Sequence, residues 1–189
     1  MTTIRLADAA KHDEQLPHQL AAWNALQATL TPEQLDDFAQ GFRTPQTGAQ
    51  APFQPSSPFS YKLTPNVTYG ELCLQSPERR FHQQHQCATA LTLAQFVQKA
   101  RDTFNCPAVI TSGYRPPRIN SAVGGASNSE HLYNTPSTGA IDFYLDGMPV
   151  KELQDWAERT WNFSLGLGAP KGFIHIGVRP GQPRVRWNY

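Results

Sequence analysis

Two histidines and one aspartate stand at positions where they could share a metal ion. Asp142 lies in segment 139–145 and His175 in segment 173–178, and both segments alternate in polarity as β-strands do. His131 ends a stretch rich in Gly, Pro, Asn and Ser that precedes Asp142. Two imidazole nitrogens and one carboxylate suit zinc and leave a fourth position for water. Such an ion polarises a carbonyl group and lowers the pKa of its bound water to ~7.

The two segments each have one apolar face and one face that carries a ligand-type residue. Successive side chains of a strand point to opposite sides of the sheet, so Asp142 shares a face with Ala140, and His175 shares one with Gly177. The small neighbours leave room for a shallow site above the sheet. The opposite faces carry the residues expected in the core: Ile141, Phe143, Ile174, Ile176 and Val178. Periodicity leaves a second interpretation open, since a histidine or aspartate in a strand is often a hydrogen-bonded structural residue.

The elements that must position these residues are helices and strands mixed without a regular βαβ repeat. Apolar residues at helical spacing predict helices over 86–104 and 149–161. Strands are predicted at 107–112, 139–145 and 173–178, with a short fourth at 184–187, and a long loop at 113–131. This pattern predicts an α+β fold, with a small mixed or antiparallel sheet and flanking helices that carry a single zinc site.

Three regions are predicted along the chain. Residues 1–43 form a helical N-terminal segment, in which 17–43 read as two short helices. Residues 44–58 are rich in Pro, Ser and Gln and have the composition of a linker. Residues 59–189 form the main domain. The helical segment could pack on that domain, form a dimer contact or bind another surface, so the oligomeric state stays open.

Charge and composition exclude several classes of protein. The 189 residues carry a net charge of +1 without runs of Lys or Arg, so no nucleic-acid partner is predicted. No stretch approaches the ~20 apolar residues of a membrane span, and the N-terminus lacks the apolar core of a signal peptide.

Three cysteines, Cys73, Cys87 and Cys106, show no C-x-x-C spacing and predict neither a zinc ribbon nor a redox motif. The odd number argues against a fully paired disulfide framework. One disulfide with a free thiol remains open, and three reduced, partly buried thiols are favoured because free cysteine is often buried.

An ordered set of short motifs resembles the M15 zinc peptidases, which include D-Ala-D-Ala carboxypeptidases and related peptidoglycan endopeptidases. The resemblance covers about 59–189 and is strongest over 109–145. The motifs are Thr111-Ser-Gly-Tyr-Arg-Pro-Pro-Arg-Ile-Asn120, Val123-Gly-Gly-Ala126, Ser129-Glu-His131, Gly139-Ala-Ile-Asp142 and Phe173-Ile-His175. The resemblance implies one zinc ion held by His131, Asp142 and His175, with a peptidoglycan peptide as substrate.

The resemblance also implies roles for two further side chains. Arg115 corresponds to an arginine that holds the peptide carboxylate or the developing oxyanion, and a guanidinium suits this because it makes paired, charge-assisted bonds. Ser129 corresponds to a hydrogen-bond donor to the substrate. Each has a structural alternative, in which Arg115 braces the loop through carbonyl groups and Ser129 only caps it.

The sequence departs from the family pattern in two places. The segment between His131 and Asp142 is longer than is usual, and its extra residues are expected at the rim of the cleft. No carboxylate lies within three residues of His175, where the family commonly places a general base. Glu130 and Asp146, which are close in sequence to the other ligands, are the remaining candidates for the base.

Two functions follow from these observations. The first is a zinc metallopeptidase, a carboxypeptidase or an endopeptidase, that cleaves peptidoglycan stem peptides by zinc-activated water. The second is a non-catalytic zinc-containing module that binds the cell wall or another protein. A phage-type lytic enzyme is a variant of the first, and it agrees with cytoplasmic synthesis followed by phage-type or non-classical release to the cell wall.

Overall fold

The computed structural model describes residues 51–181 and 183–189. The predicted N-terminal helices lie outside the described residues. One compact unit extends from Pro52 to Tyr189. Phe53 and Ser57, which lie within the predicted linker, are both buried. The Phe53 ring stacks on Tyr61 with 5.0 Å between the ring centroids. The packed domain therefore begins before residue 59, because an aromatic side chain in the Pro-rich stretch finds a place in the core.

Helices and strands follow one another along the described chain without a regular repeat. In order they are β1 (Lys62–Thr64), β2 (Val67–Thr68), α1 (Tyr69–Leu72), α2 (Gln84–Phe104), β3 (Ala108–Ser112), α3 (Pro117–Ala122), β4 (Gly139–Leu145), α4 (Val150–Thr160), β5 (Ser164–Leu167), β6 (Ile174–Val178) and β7 (Arg186–Asn188). Short 3-10 turns occupy Pro77–Arg79, Glu130–Leu132 and Ala169–Lys171. Strands β1 and β2 form a small antiparallel sheet of their own.

The main sheet has five strands in the order β3-β4-β6-β5-β7. All neighbouring strands are antiparallel except β5 and β7, which are parallel. The predicted α+β fold with a mixed sheet is therefore confirmed. Strand β5 is absent from the prediction because its sequence, Ser-Leu-Gly-Leu, is short and interrupted by glycine, and it gains strand geometry by pairing with β6.

Helix α2 is the main helix packed against the sheet. At its start the Gln86 side chain accepts hydrogen bonds from the backbone N–H groups of His82 at 2.7 Å and Gln83 at 3.0 Å. Asn105 ends the helix in the left-handed conformation, with φ of 52°. Leu93, Val97 and Ala100 on one face are fully buried. None of the helices in the described part of the chain is long and apolar enough to cross a membrane.

The core lies on the side of the sheet that faces away from the predicted ligands. Ile141, Phe143, Ile174 and Ile176 are fully buried there, as their alternation predicts. Cys73, Cys87 and Cys106 are free thiols, and burial raises the pKa of the Cys87 thiol to about 11. Buried thiols such as Cys73 and Cys87 are unreactive and serve packing.

The predicted loop 113–131 contains a short helix, α3, and is tied to its surroundings at both ends. The Asn120 side chain donates to the carbonyl groups of Gly125 at 3.1 Å and Ala126 at 2.9 Å, which closes the loop on itself. The Arg115 N–H donates to the carbonyl of His131 at 2.8 Å. Tyr133, which follows the 3-10 turn, is fully buried and donates through its hydroxyl to Ala140 at 3.1 Å. These contacts hold His131 close to the edge of β4.

Candidate metal centre

A row of residues crosses all five strands and forms the floor of the site. Asp142 on β4 is paired with Ser112 on β3 and with His175 on β6. His175 is paired with Gly166 on β5, and Gly166 with Trp187 on β7. The strand pairing therefore brings the predicted aspartate and histidine side by side, with a glycine and an aromatic ring beyond them.

Three ligand-type side chains meet above this floor. One donor atom from each of His131, Asp142 and His175 lies within 4.8 Å of the other two, and all three residues are buried. Asp142 Oδ1 is 2.7 Å from His175 Nδ1 and 3.2 Å from His131 Nε2. Two imidazoles and one carboxylate at this spacing are a donor set that suits zinc. The three residues predicted as ligands thus form a candidate metal site.

The second nitrogen of each imidazole has its own partner. His131 Nδ1 lies 2.8 Å from the carbonyl oxygen of Gly113, and His175 Nε2 lies 2.9 Å from Oε2 of Glu130. Both partners are acceptors, so each outer nitrogen carries the hydrogen. The inner nitrogens, Nε2 of His131 and Nδ1 of His175, are then left as donors to a metal, as in metal sites with oriented histidines.

The charges of the cluster set the protonation states of its members. Burial by itself raises the pKa of Asp142, but the charges and hydrogen bonds of the two histidines outweigh burial and hold the pKa well below its usual range. Burial lowers the pKa of His131. Burial opposes the charged form of His175 as well, yet the hydrogen bonds to Asp142 and Glu130 raise its pKa. Asp142 is therefore ionised and His131 neutral, while a proton and a metal ion compete for Nδ1 of His175.

Arg115 lies at the side of the cluster. Its Nη2 donates to Asp142 Oδ2 at 3.0 Å, and its Nε donates to the Ser112 hydroxyl at 2.8 Å. A guanidinium has five N–H donors, and these two bonds use one each from Nε and Nη2. The side chain is 19% exposed, so part of it faces solvent next to the ligands. This position is compatible with the predicted contact to a substrate.

Ser129 caps the turn that carries His131. Its hydroxyl oxygen accepts a hydrogen bond from the His131 backbone N–H at 3.3 Å. This is the structural role that the sequence leaves open for it, and a contact from the same hydroxyl to a substrate stays a prediction.

The two candidates for the general base, Glu130 and Asp146, lie outside the group of three converging side chains. Glu130 Oε1 accepts from the Ser164 hydroxyl at 2.5 Å and from Arg179 Nε, and Oε2 faces the outer nitrogen of His175. Although burial raises the pKa of Glu130, the hydrogen bonds from His175, Ser164 and Arg179 outweigh it and lower that pKa. Glu130 is therefore held behind the His175 ring, away from the donor atoms.

Asp146 is exposed and follows the end of β4. It lies four residues beyond Asp142, which corresponds to ~13 Å along a strand. Neither carboxylate is one of the three converging ligand-type residues, because β4 carries the chain away from Asp142 before Asp146 and the 3-10 turn directs Glu130 toward β6. A role of either as the base stays a prediction.

Several residues around the site are missed by the sequence patterns. Ser164 and Arg179 hold Glu130, and the C-terminal aromatic residues form a wall beside His175. The Trp187 and Tyr189 ring centroids lie 5.0 and 6.3 Å from that of His175. Burial, followed by the charge of Asp142, raises the pKa of Tyr189, so its hydroxyl stays protonated. The signal available in the sequence is the i, i+2 spacing of Trp187 and Tyr189, which in an extended segment places both side chains on one face.

The fold and the three-residue site define an α+β domain with a candidate metal centre. A family model described as Peptidase M15 matches residues 65–177, more than half of the chain. The chain belongs to this peptidase family, which implies a peptide substrate. The comparison with curated proteins gives no match.

Proposed function

We propose that this protein is a zinc metallopeptidase that cleaves peptidoglycan stem peptides. The observation that carries the proposal is the convergence of His131 Nε2, Asp142 and His175 Nδ1 within 4.8 Å. Membership of the M15 peptidases supports the reaction class. The cell-wall substrate rests on the resemblance of the sequence motifs.

The three converging residues would hold one zinc ion. Zinc bound there would supply a Lewis acid that polarises the scissile carbonyl and makes water reactive near neutral pH. Asp142 contributes the negative charge of the site and orients both imidazoles through its carboxylate. The contacts from Gly113 and Glu130 keep the imidazole rings in the orientation that ligation requires.

Arg115 and Arg79 support a substrate with an anionic group. Arg79 Nη1 donates to the carbonyl of Tyr114, the residue before Arg115, at 3.2 Å. Burial lowers the pKa of Arg79, and the neighbouring positive charge of Arg115 lowers it further. Arg115 lies beside the ligands and Arg79 lies near Arg115, and this positive charge favours binding of a peptide carboxylate, which is what a carboxypeptidase recognises at the chain end. We therefore favour the carboxypeptidase over the endopeptidase.

Tyr189 supports the same reaction as a hydrogen-bond donor. Its phenol is protonated at neutral pH because its pKa is raised. Its ring lies beside His175, so the hydroxyl can serve a substrate carbonyl or the developing oxyanion.

One observation favours the alternative, a zinc-containing binding module. Glu130 is engaged by three donors, and Asp146 follows the end of β4, an arrangement that disfavours both predicted carboxylates as the base. A module of this kind would bind cell-wall fragments without turning them over. His175→Ala would weaken binding in that case, with no turnover to lose.

The test is an incubation of the full chain, loaded with zinc, with purified muropeptides, followed by mass spectrometry. Release of terminal D-Ala is the expected result, and cleavage of cross-links would indicate an endopeptidase. Binding of muropeptides with no zinc-dependent product would contradict the peptidase and favour the module. Lysis of permeabilised bacteria in parallel tests whether the protein acts as a phage-type lytic enzyme.

A further inference from the structure

Three aromatic rings lie along one side of the candidate metal site, and the proposed reaction uses only one hydroxyl among them. The Trp187 ring lies 5.0 Å from that of His175, and the Tyr189 ring lies 5.0 Å from that of Phe173, measured between centroids. We infer that Trp187, Tyr189 and Phe173 form an aromatic subsite, which receives an apolar side chain of the substrate residue whose carbonyl group is cleaved. The inference rests on the proposed function, because it places the scissile carbonyl at the metal site.

Gly166 gives two of these rings access to the ligands. The strand pairing places Gly166 between His175 of β6 and Trp187 of β7. A Cβ atom at Gly166 would lie 2.5 Å from the Tyr189 ring, 2.9 Å from the Trp187 ring and 3.0 Å from Cβ of His175. Neighbouring strands are ~4.8 Å apart, so the backbones of Trp187 and His175 are separated by two such steps. Because the residue between them has no side chain, the Trp187 ring extends over it and contacts the His175 ring.

The aromatic subsite presents apolar surface to solvent beside the metal site. Tyr189 is 47% exposed and is one of two exposed large apolar residues within 51–181 and 183–189. Trp187 and Phe173 are both half-buried. The centroid of the Trp187 ring lies 5.8 Å from the guanidinium carbon of Arg179 and 6.2 Å from the centroid of Tyr189. Rings held in this way have little conformational freedom to lose when a ligand binds, which favours binding.

The aromatic subsite and Arg115 lie on opposite sides of the ligands. Arg115 donates to Ser112 of β3 and Asp142 of β4, whereas Trp187 lies on β7, at the other edge of the sheet. A substrate with its terminal carboxylate at Arg115 and its scissile carbonyl at the metal therefore extends toward His175 on its acyl side. Residues of an extended peptide are ~3.4 Å apart, so the side chain next to the scissile bond can reach a ring 5.0 Å from that of His175.

The experiment compares peptides that differ only in the side chain next to the scissile bond. The full chain, loaded with zinc, is incubated with N-acyl dipeptides that end in D-Ala and carry Gly, D-Ala or D-Val before it. Wild-type kcat/KM should rise roughly 4-fold from Gly to D-Ala, the factor for one buried carbon, and rise further for D-Val. In Trp187→Ala both ratios should fall toward 1. Trp187→Phe keeps an aromatic ring and should retain most of the preference.

Two further variants separate the aromatic subsite from other roles of these rings. Tyr189→Phe loses the hydroxyl and keeps the ring, so it should show the wild-type preference at whatever overall rate. Phe163→Ala is the matched control, because Phe163 packs on Trp161 and lines a cavity with Ala88 and Thr92 of α2. A purely structural role of Trp187 would lower kcat/KM by the same factor for all three peptides. Zinc content, measured in every variant, reports whether the ligands are disturbed.

Unchanged ratios in Trp187→Ala, or a wild type that does not distinguish Gly from D-Val, would overturn the inference. If the wild type releases no D-Ala from any peptide, the proposed peptidase fails, and calorimetric affinities for the same peptides replace kcat/KM. A rise in affinity from Gly to D-Val that is lost in Trp187→Ala then supports the aromatic subsite, and equal affinities or no binding contradict it. Should Trp187→Ala lose zinc or not fold, Tyr189→Ala makes the same comparison, in which a reduced preference supports the inference and an unchanged one contradicts it.

Discussion

Asp142 and His175 lie directly opposite each other on strands β4 and β6, with Oδ1 of Asp142 2.7 Å from Nδ1 of His175. Neighbouring strands hold such pairs close together, so the strand register itself determines the spacing of these two ligands. A slip of one residue would turn His175 into the core and expose Ile174 or Ile176. The apolar face of β6 therefore protects the geometry of the site.

Loss of either paired residue should abolish stoichiometric zinc binding. Asp142→Asn removes the charge and His175→Ala removes a nitrogen donor, so each should lower the bound zinc from one ion per chain to a small fraction after dialysis. Metal analysis of the purified variants measures this. His82→Ala is the control, since His82 is an exposed histidine outside the cluster. Full zinc occupancy in both ligand variants would contradict the assigned site.

Arg115 should affect turnover and not metal content. Arg115→Ala removes a guanidinium beside the ligands, and a decrease of roughly 100-fold in kcat/KM is expected, as for loss of one donor to a developing oxyanion. Zinc content should equal that of the wild type. Arg118→Ala, on the exposed side of α3, is the matched control for loss of a positive charge. Equal kcat/KM in the two variants would leave Arg115 with a structural role only.

The metal-free protein should lose stability on acidification, first below about pH 6.5 and further below about pH 5. The pKa values of Asp142 and Glu130 are lower in the folded state than in the unfolded state. The stability that these two carboxylates contribute to the fold is therefore present above their unfolded pKa values, and it is lost as the pH falls toward their folded pKa values. The pKa of His175 is raised, so His175 is protonated in both states in this range and adds no slope. The pKa of His131 is lowered by burial, so protonation of this histidine in the unfolded state adds to the loss of stability below about pH 6.5. Urea unfolding at pH 6, 5, 4 and 3 in the presence of EDTA measures the change. Glu130→Gln should show a smaller loss than the wild type, and an identical loss would contradict the contribution of Glu130.

The buried apolar residues on the core side of the sheet should contribute strongly to the free energy of unfolding of the domain. Ile174→Ala on β6 removes a fully buried side chain and should lower the free energy of unfolding by about 2–5 kcal/mol. Chemical denaturation of the metal-free protein measures this without a contribution from zinc. Lys151→Ala, in an exposed ion pair with Asp155, should change the stability by less than about 1 kcal/mol. A similar effect of both variants would place the core elsewhere.

The local part of the fold is well predicted by periodicity. The predicted helix at 86–104 is observed as Gln84–Phe104, and the strand at 139–145 has the predicted bounds. Short elements such as β5 are missed, because four residues with a central glycine carry too little periodicity to be distinguished from a loop. Composition does not reveal that Phe53, within the stretch predicted as a linker, is buried, because burial of one side chain depends on the distant residues that it contacts.

By itself the sequence determined the kinds of ligand and the strand faces on which Asp142 and His175 stand, because alternation along a strand is a local property of the backbone. The ordered motifs also determined the peptidase family. Only the tertiary structure decided what Glu130 does. Its partner His175 is 45 residues away in the chain, and the direction of a side chain in a 3-10 turn depends on what that turn packs against. The register of the five strands and the position of Trp187 and Tyr189 beside His175 likewise come from contacts between distant segments.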